Sequence, residues 1–139
     1  MTSRYPDWRI HLEAYLHDVW REPFVYGQHD CGLFAAGAVK AMTGQDFAEE
    51  YRGGYKTLAG ALRRLKRKGF DSHADLAASL FEEIHPSAAQ VGDLAAVKVS
   101  DAGHYALGVV QGARVYVLRP DQLGLGTVDL LDAERAFRV

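Results

Sequence analysis

The stretch Asp30-Cys31-Gly32-Leu33-Phe34-Ala35-Ala36-Gly37-Ala38-Val39-Lys40-Ala41-Met42 decides how this chain is read. Asp30 is a good N-cap, because a short carboxylate accepts from the free N–H groups of a first helical turn, and Gly44 stands where a helix ends in a left-handed residue. The helix between them is apolar on most sides and rich in small residues. That pattern predicts a central helix, packed close to its neighbours, and not one lying on the surface.

Upstream, Trp8, Leu12, Tyr15, Leu16, Val19 and Trp20 recur at offsets of three and four, which puts them on one stripe of a helix from Trp8 to Trp20 that Pro23 closes. Downstream, Gly53-Gly54 breaks the chain, Thr57 caps a third helix carrying Leu58, Ala61, Leu62 and Leu65, and Gly69 stops it. A short helical segment follows from about Ser72 to Leu80, and Pro86 ends the helical half. The period then changes. Leu94 to Val99, Tyr105 to Val110 and Val115 to Leu118 are short runs rich in Val, Leu and Tyr, with Asp101-Ala102-Gly103 and Gln111-Gly112 as hairpin turns. Pro120 to Gly126 reads as a loop, Thr127 to Leu130 as a further strand, and Asp132 to Phe137 as a terminal helical turn. Helices first and strands second predict an α+β fold, a helical N-terminal half packed on an antiparallel sheet of three or more strands.

At 139 residues and 48% hydrophobic, the chain matches one domain, residues 1–139, with enough apolar surface for one core. A formal charge of −2 gives no global attraction to nucleic acid or anionic membrane, so neither is expected as a partner. No run approaches 18 apolar residues, and Met1-Thr2-Ser3-Arg4-Tyr5-Pro6-Asp7 lacks the apolar core of a signal peptide, which predicts a chain that is cytoplasmic when synthesised. A lone cysteine forms no internal disulfide and no cysteine-based zinc site by itself. His29, Asp30 and Cys31 are metal-ligand types, but three adjacent residues do not converge on one ion, so no metal and no cofactor is expected.

Cys31 is therefore packing or chemistry. It follows its N-cap directly, where unsatisfied N–H groups and the helix dipole favour a thiolate, while burial and the Asp30 carboxylate oppose it. Gly32 leaves room for a substrate to approach the helix start, whose backbone N–H groups are placed to hold an oxyanion. A small cysteine packed at a helix start explains the same residues without chemistry. His29 is read as satisfying its turn, and His11, His17, His73 and His85 as solvated residues. The cluster Arg63, Arg64, Lys66, Arg67 and Lys68 reads as a solvated face near a helix C-terminus, where the dipole favours cations. No paired-carboxylate spacing suggests glycosidase chemistry.

The segment Pro23-Phe24-Val25-Tyr26-Gly27-Gln28-His29-Asp30-Cys31-Gly32-Leu33-Phe34 resembles the "P-y-x-W-G-x-x-D-C-S-x-F" signature of NlpC-type, papain-like cell-wall peptidases, with Cys31 in the nucleophile position and Gly32 in place of the usual Ser. Val91-Gly92-Asp93-Leu94 resembles the family's "pGDLvfF", and Gly103-His104-Tyr105-Ala106-Leu107-Gly108-Val109-Val110 its "xHVGIYxG" strand. The resemblance covers roughly Phe24 to Leu118 and implies a papain-like fold. It implies catalysis by Cys31 with His104 as proton shuttle, and an oxyanion site at the Asp30–Gly32 helix start. The implied substrate is a peptidoglycan peptide or similar small acyl compound. Aligning Leu107-Gly108-Val109 with the family's "VGI" puts Ala106 at the histidine position. His104 then lies two residues earlier, on the same strand face and about 6.5 Å away. The next strand offers only Arg114 and Tyr116 as orienting groups. The Trp-rich first helix, Gly54-Tyr55-Lys56-Thr57 and Gly124-Leu125-Gly126 further resemble a branch encoded among phage and prophage tail genes. That implies tail-tip partners, with a non-catalytic tail-tip assembly module as the alternative function.

Overall fold

The computed structural model describes residues 3–98 and 105–139. Four helices, α1 (Trp8–Val19), α2 (Cys31–Thr43), α3 (Leu58–Arg67) and α4 (His73–Leu80), begin and end where the local chemistry directs. Asp30 Oδ1 accepts from the Leu33 N–H at 3.0 Å, Thr57 Oγ1 from Gly60 at 3.0 Å, and Ser72 Oγ from Asp75 at 3.2 Å. Gly44 closes α2 at φ 82°, a conformation that favours glycine.

The strands are β1 (Glu82–Ile84), β2 (Leu94–Lys98), β3 (Tyr105–Gln111), β4 (Arg114–Leu118), β5 (Leu125–Asp129) and β6 (Arg135–Arg138). They form one antiparallel sheet in the order β1-β6-β2-β3-β4-β5. Val99, the Asp101-Ala102-Gly103 turn and His104 lie outside the described residues.

Three elements differ from the sequence expectation. The Asp132 to Phe137 helical turn is instead a 3-10 turn at Leu130–Asp132 followed by β6, which lies between β1 and β2. Its charged ends conceal a strand whose centre, Ala136 and Phe137, is fully buried. β1 is as charged as β6, and the two match: Arg135 pairs with Glu83 at 2.8 Å and Arg138 with Glu82 at 3.3 Å across the ladder. Opposite charges on facing strands replace the apolar alternation that marks a half-buried strand. Pro86 consequently follows a strand and does not end the helical half. β5 also starts earlier than Thr127, inside the expected loop.

α2 packs on one sheet face, where Phe34, Ala38 and Met42 join Leu94, Leu107 and Phe137 in the main core. The other face buries Val97, Val110, Val115 and Val117 beneath Leu130 and Ala133. Small residues in α2 do what their size allows. Gly37 faces the Tyr15 ring of α1, where a Cβ would collide, and the Tyr15 hydroxyl donates to the Phe34 carbonyl at 2.8 Å. Trp20, expected on the α1 stripe, lies past the helix end, 43% exposed and edge-on to Tyr116 at 5.5 Å. The N-terminal segment is held to the sheet by Arg4. Its guanidinium donates to buried Asp93 at 2.9 Å and to the Val91 and Val139 carbonyls, each at 3.0 Å.

The β2–β3 ladder continues to Tyr105, whereas β3 pairs with β4 only from Val109 to Gln111. Past Val109, toward Tyr105, this ladder ends, although Gly108 still lies close against Tyr116 and Val117. The Cys31 end of α2 sits at that end of the ladder.

Candidate functional site

Asp30 is the fixed point of the site. It is 2% exposed, and its carboxylate accepts three hydrogen bonds: Leu33 N–H to Oδ1, and Gly27 N–H at 3.0 Å and the Tyr55 hydroxyl at 2.5 Å to Oδ2. The turn before α2, the helix start and the segment leading into α3 are thereby held by one side chain. Gly27 is required for this closure. Its φ is 82°, and a Cβ there would run into the Tyr55 carbonyl. Burial and the Asp30 carboxylate both raise the pKa of the Tyr55 hydroxyl, so Tyr55 remains a donor.

Cys31, the first residue of α2, is half-buried and lines a cleft of about 170 Å³ between the helix start, α3 and the ends of β3 and β4. Backbone N–H groups of Leu107, Gly32 and Cys31 itself face its sulfur and favour the thiolate. They do not win. Burial, and after it the Asp30 carboxylate, push the thiol up to about 11, so the resting group at neutral pH is SH. Proton removal is therefore part of any reaction at this sulfur.

The structure brings one histidine to the cleft that sequence reasoning left as solvated. His73, the first residue of α4, is half-buried, lines the cleft with Cys31, and covers Gly32. A Cβ on Gly32 would lie 2.7 Å from His73 Cδ2 and 3.2 Å from Nε2. The space that Gly32 opens is thus taken by an imidazole. The sequence signal was present in the pairing of a glycine after the cysteine with a histidine after a Ser72 cap, but nothing in the spacing joins positions 41 residues apart.

The other sequence candidates separate. His29 is buried but turned away from the cleft. Its backbone bridges to Val25, its ring stands edge-on to Phe34 at 6.3 Å, and burial lowers its pKa. Its Nδ1 lies 3.8 Å from a Glu22 carboxylate oxygen. His11 lies 3.2 Å from Asp7, and His85 accepts from the Ser87 N–H at 3.1 Å, both local surface contacts. The strand residues weighed as orienting groups point elsewhere. Arg114 donates to Thr127 at 2.9 Å, and Tyr116 packs on Trp20. His104 lies outside the described residues; Tyr105, which follows it in sequence, lines the cleft. In the basic cluster, Arg64 donates to the Gly54 and Glu50 carbonyls and Lys68 pairs with Glu50 at 2.7 Å. Among the described residues no three His, Cys, Asp or Glu side chains are grouped to hold a metal ion, and no helix is long and apolar enough to cross a membrane.

A family model described as a domain of unknown function, DUF6950, matches residues 3–139. The chain belongs to the DUF6950 family. No curated protein matches this DUF6950 chain in sequence. Among solved structures it is similar to the crystal structure of the NlpC/p60 domain of the peptidoglycan hydrolase SagA. The TM-score is 0.60 at 19% identity, over 94% of this chain and 97% of that one. The DUF6950 chain thus has an NlpC-type, papain-like α+β fold, with the cysteine-bearing helix packed on an antiparallel sheet.

Proposed function

We propose that this protein is a cysteine hydrolase that cleaves an amide bond in a peptidoglycan peptide or a similar small acyl substrate. The observation that carries the reading is the placement of Cys31. Its sulfur opens onto a cleft at a capped helix start, where backbone N–H groups converge. The peptidoglycan substrate class is taken from the similarity to the NlpC/p60 domain of a peptidoglycan hydrolase.

The chemistry follows from the thiol state. An imidazole takes the Cys31 proton as sulfur bonds to the carbonyl carbon, and the oxyanion is held by N–H groups of Cys31 and Gly32. The C–N bond breaks, the departing amine receives the proton from the imidazolium, and water then hydrolyses the thioester to release the acid. We assign the imidazole to His104, which the strand motif implies. A second assignment, His73, is favoured by its contact with Gly32 in the same cleft. We place the protein in a phage or prophage tail tip, made in the cytoplasm and assembled with other tail proteins, on its sequence resemblance alone.

The test is the rate of iodoacetamide alkylation against pH for the parent, His104→Ala and His73→Ala, beside hydrolysis of purified peptidoglycan fragments. A working Cys–His pair gives alkylation near pH 6 to 7 that one of the two variants abolishes together with hydrolysis. A single rise near pH 11, indifferent to both variants and without hydrolysis, rejects the hydrolase and leaves a non-catalytic tail-tip assembly module as the better account.

A further inference from the structure

Arg119, directly after β4, lines the same cleft as Asp30 and Cys31. It is half-buried, its Nη2 lies 3.9 Å from where a Cβ on Gly126 would stand, and its Nε is buried with no hydrogen-bond partner among the described residues. A guanidinium donor withdrawn from water and left unmatched is costly unless a ligand supplies the acceptor. None of the described residues supplies one. Asp30, the carboxylate on the same cleft wall, already accepts from Gly27, Leu33 and Tyr55. The rest of the cleft lining is largely apolar, from Phe24, Leu58, Ala61, Ala106 and Leu118, beside the polar side chains of Tyr26, His73 and Tyr105.

We infer that the cleft takes an acyl substrate bearing a free carboxylate, held by Arg119 while the scissile carbonyl lies at Cys31. The planar guanidinium fork suits a carboxylate, and a largely apolar surround with little competing water strengthens the pair. The inference deepens the hydrolase reading by naming what the substrate must carry, and its test does not depend on turnover.

Iodoacetate and iodoacetamide deliver the same alkyl carbon to sulfur with loss of iodide. They differ in that one carries a carboxylate and the other a neutral amide. At pH 9, where ordinary imidazoles are uncharged, the iodoacetate-to-iodoacetamide rate ratio at Cys31 is expected to fall at least tenfold in Arg119→Gln. Arg119→Lys is expected to retain part of the preference, and an unchanged iodoacetamide rate in both variants shows that the cleft is intact. An equal ratio in the parent and Arg119→Gln overturns the proposal. So does failure of Cys31 to react with either reagent, since a cleft closed to both holds no carboxylate. Because alkylation requires only an accessible sulfur, an Arg119-dependent ratio without peptidoglycan hydrolysis would reject the hydrolase and keep the carboxylate site.

Discussion

Replacing Tyr55 with Phe removes one hydroxyl and leaves the ring. The lost group is the donor to Asp30 Oδ2 at 2.5 Å, in a setting where the residues on both sides are buried. A hydrogen bond to a charged group contributes about 1.5–3 kcal/mol. Asp30 keeps the Gly27 and Leu33 N–H groups, so its carboxylate is weakened and not orphaned. An unfolding entropy of about 2.1 cal/mol/K per residue makes each kcal/mol worth roughly 3–4 °C in a chain of this length, so Tm is expected to drop by about 5–10 °C at pH 7. The sign of the pH dependence is also fixed. The Tyr55 hydroxyl has its pKa raised above the ordinary value of 10.0, so its contribution is fully present below pH 10 and is lost as pH rises through the folded-state value. The gap between parent and variant should therefore narrow above pH 10. Thermal unfolding followed by circular dichroism measures both. The exposed Tyr105 hydroxyl, bonded to Glu134 at 2.9 Å, provides a control whose removal should shift Tm by less than about 2 °C. A Tyr55→Phe shift as small as the control's, or one unchanged up to pH 11, would refute the view that Asp30 and Tyr55 latch the site.

Three further outcomes are expected. Arg4→Ala should cost about 3 kcal/mol in denaturant unfolding, near the low end for a broken buried pair, because Asp93 keeps the N–H groups of Gln90 and Val139; a loss below about 1 kcal/mol would show that the terminal clamp is dispensable. Cys31→Ala should remove an alkaline instability. With the thiol pushed from 9.0 to about 11, the parent loses on the order of 2–3 kcal/mol relative to the variant as pH rises from about 9 to 11, and parallel stability–pH curves would contradict that shift. Gly32→Ala should displace the His73 ring, which a Cβ would meet at 2.7 Å, and so change the His73-dependent part of the alkylation profile while leaving Tm within a few degrees; an unaltered profile would remove His73 from consideration as the Cys31 base.

Local chemistry made most of the helical half legible. The caps at Asp30 and Thr57 and the glycines at 44 and 69 are decided by residues within four positions, and the chain obeys them; Ser72, read as the start of its helix, proves to be the cap. β1 and β6 were hidden because their pairing is a relation between distant charged residues, Glu82 and Glu83 with Arg138 and Arg135. The site divides in the same way. Cys31 and its cap are one local motif, whereas His73 and Arg119 reach the cleft through α4 and the end of β4. No spacing rule connects positions 31, 73 and 119.

Asp30 links stability and reactivity at one carboxylate. As the N-cap it fixes the turn, the helix start and Tyr55, which makes the cleft rigid. As the neighbour of Cys31 it raises the thiol, second only to burial. A site built this way does not keep a free thiolate at neutral pH, so under the proposed function Cys31 would need a base to take its proton before attack. An exposed thiolate at a helix N-terminus reacts with any electrophile that reaches it. A thiol held near 11 reacts fastest where a substrate lies against both the base and the N–H groups at the helix start. The requirement for an imidazole is therefore stronger here than at a cysteine with a low pKa. For that reason the comparison of His73→Ala with His104→Ala bears on whether this fold retains catalysis at all.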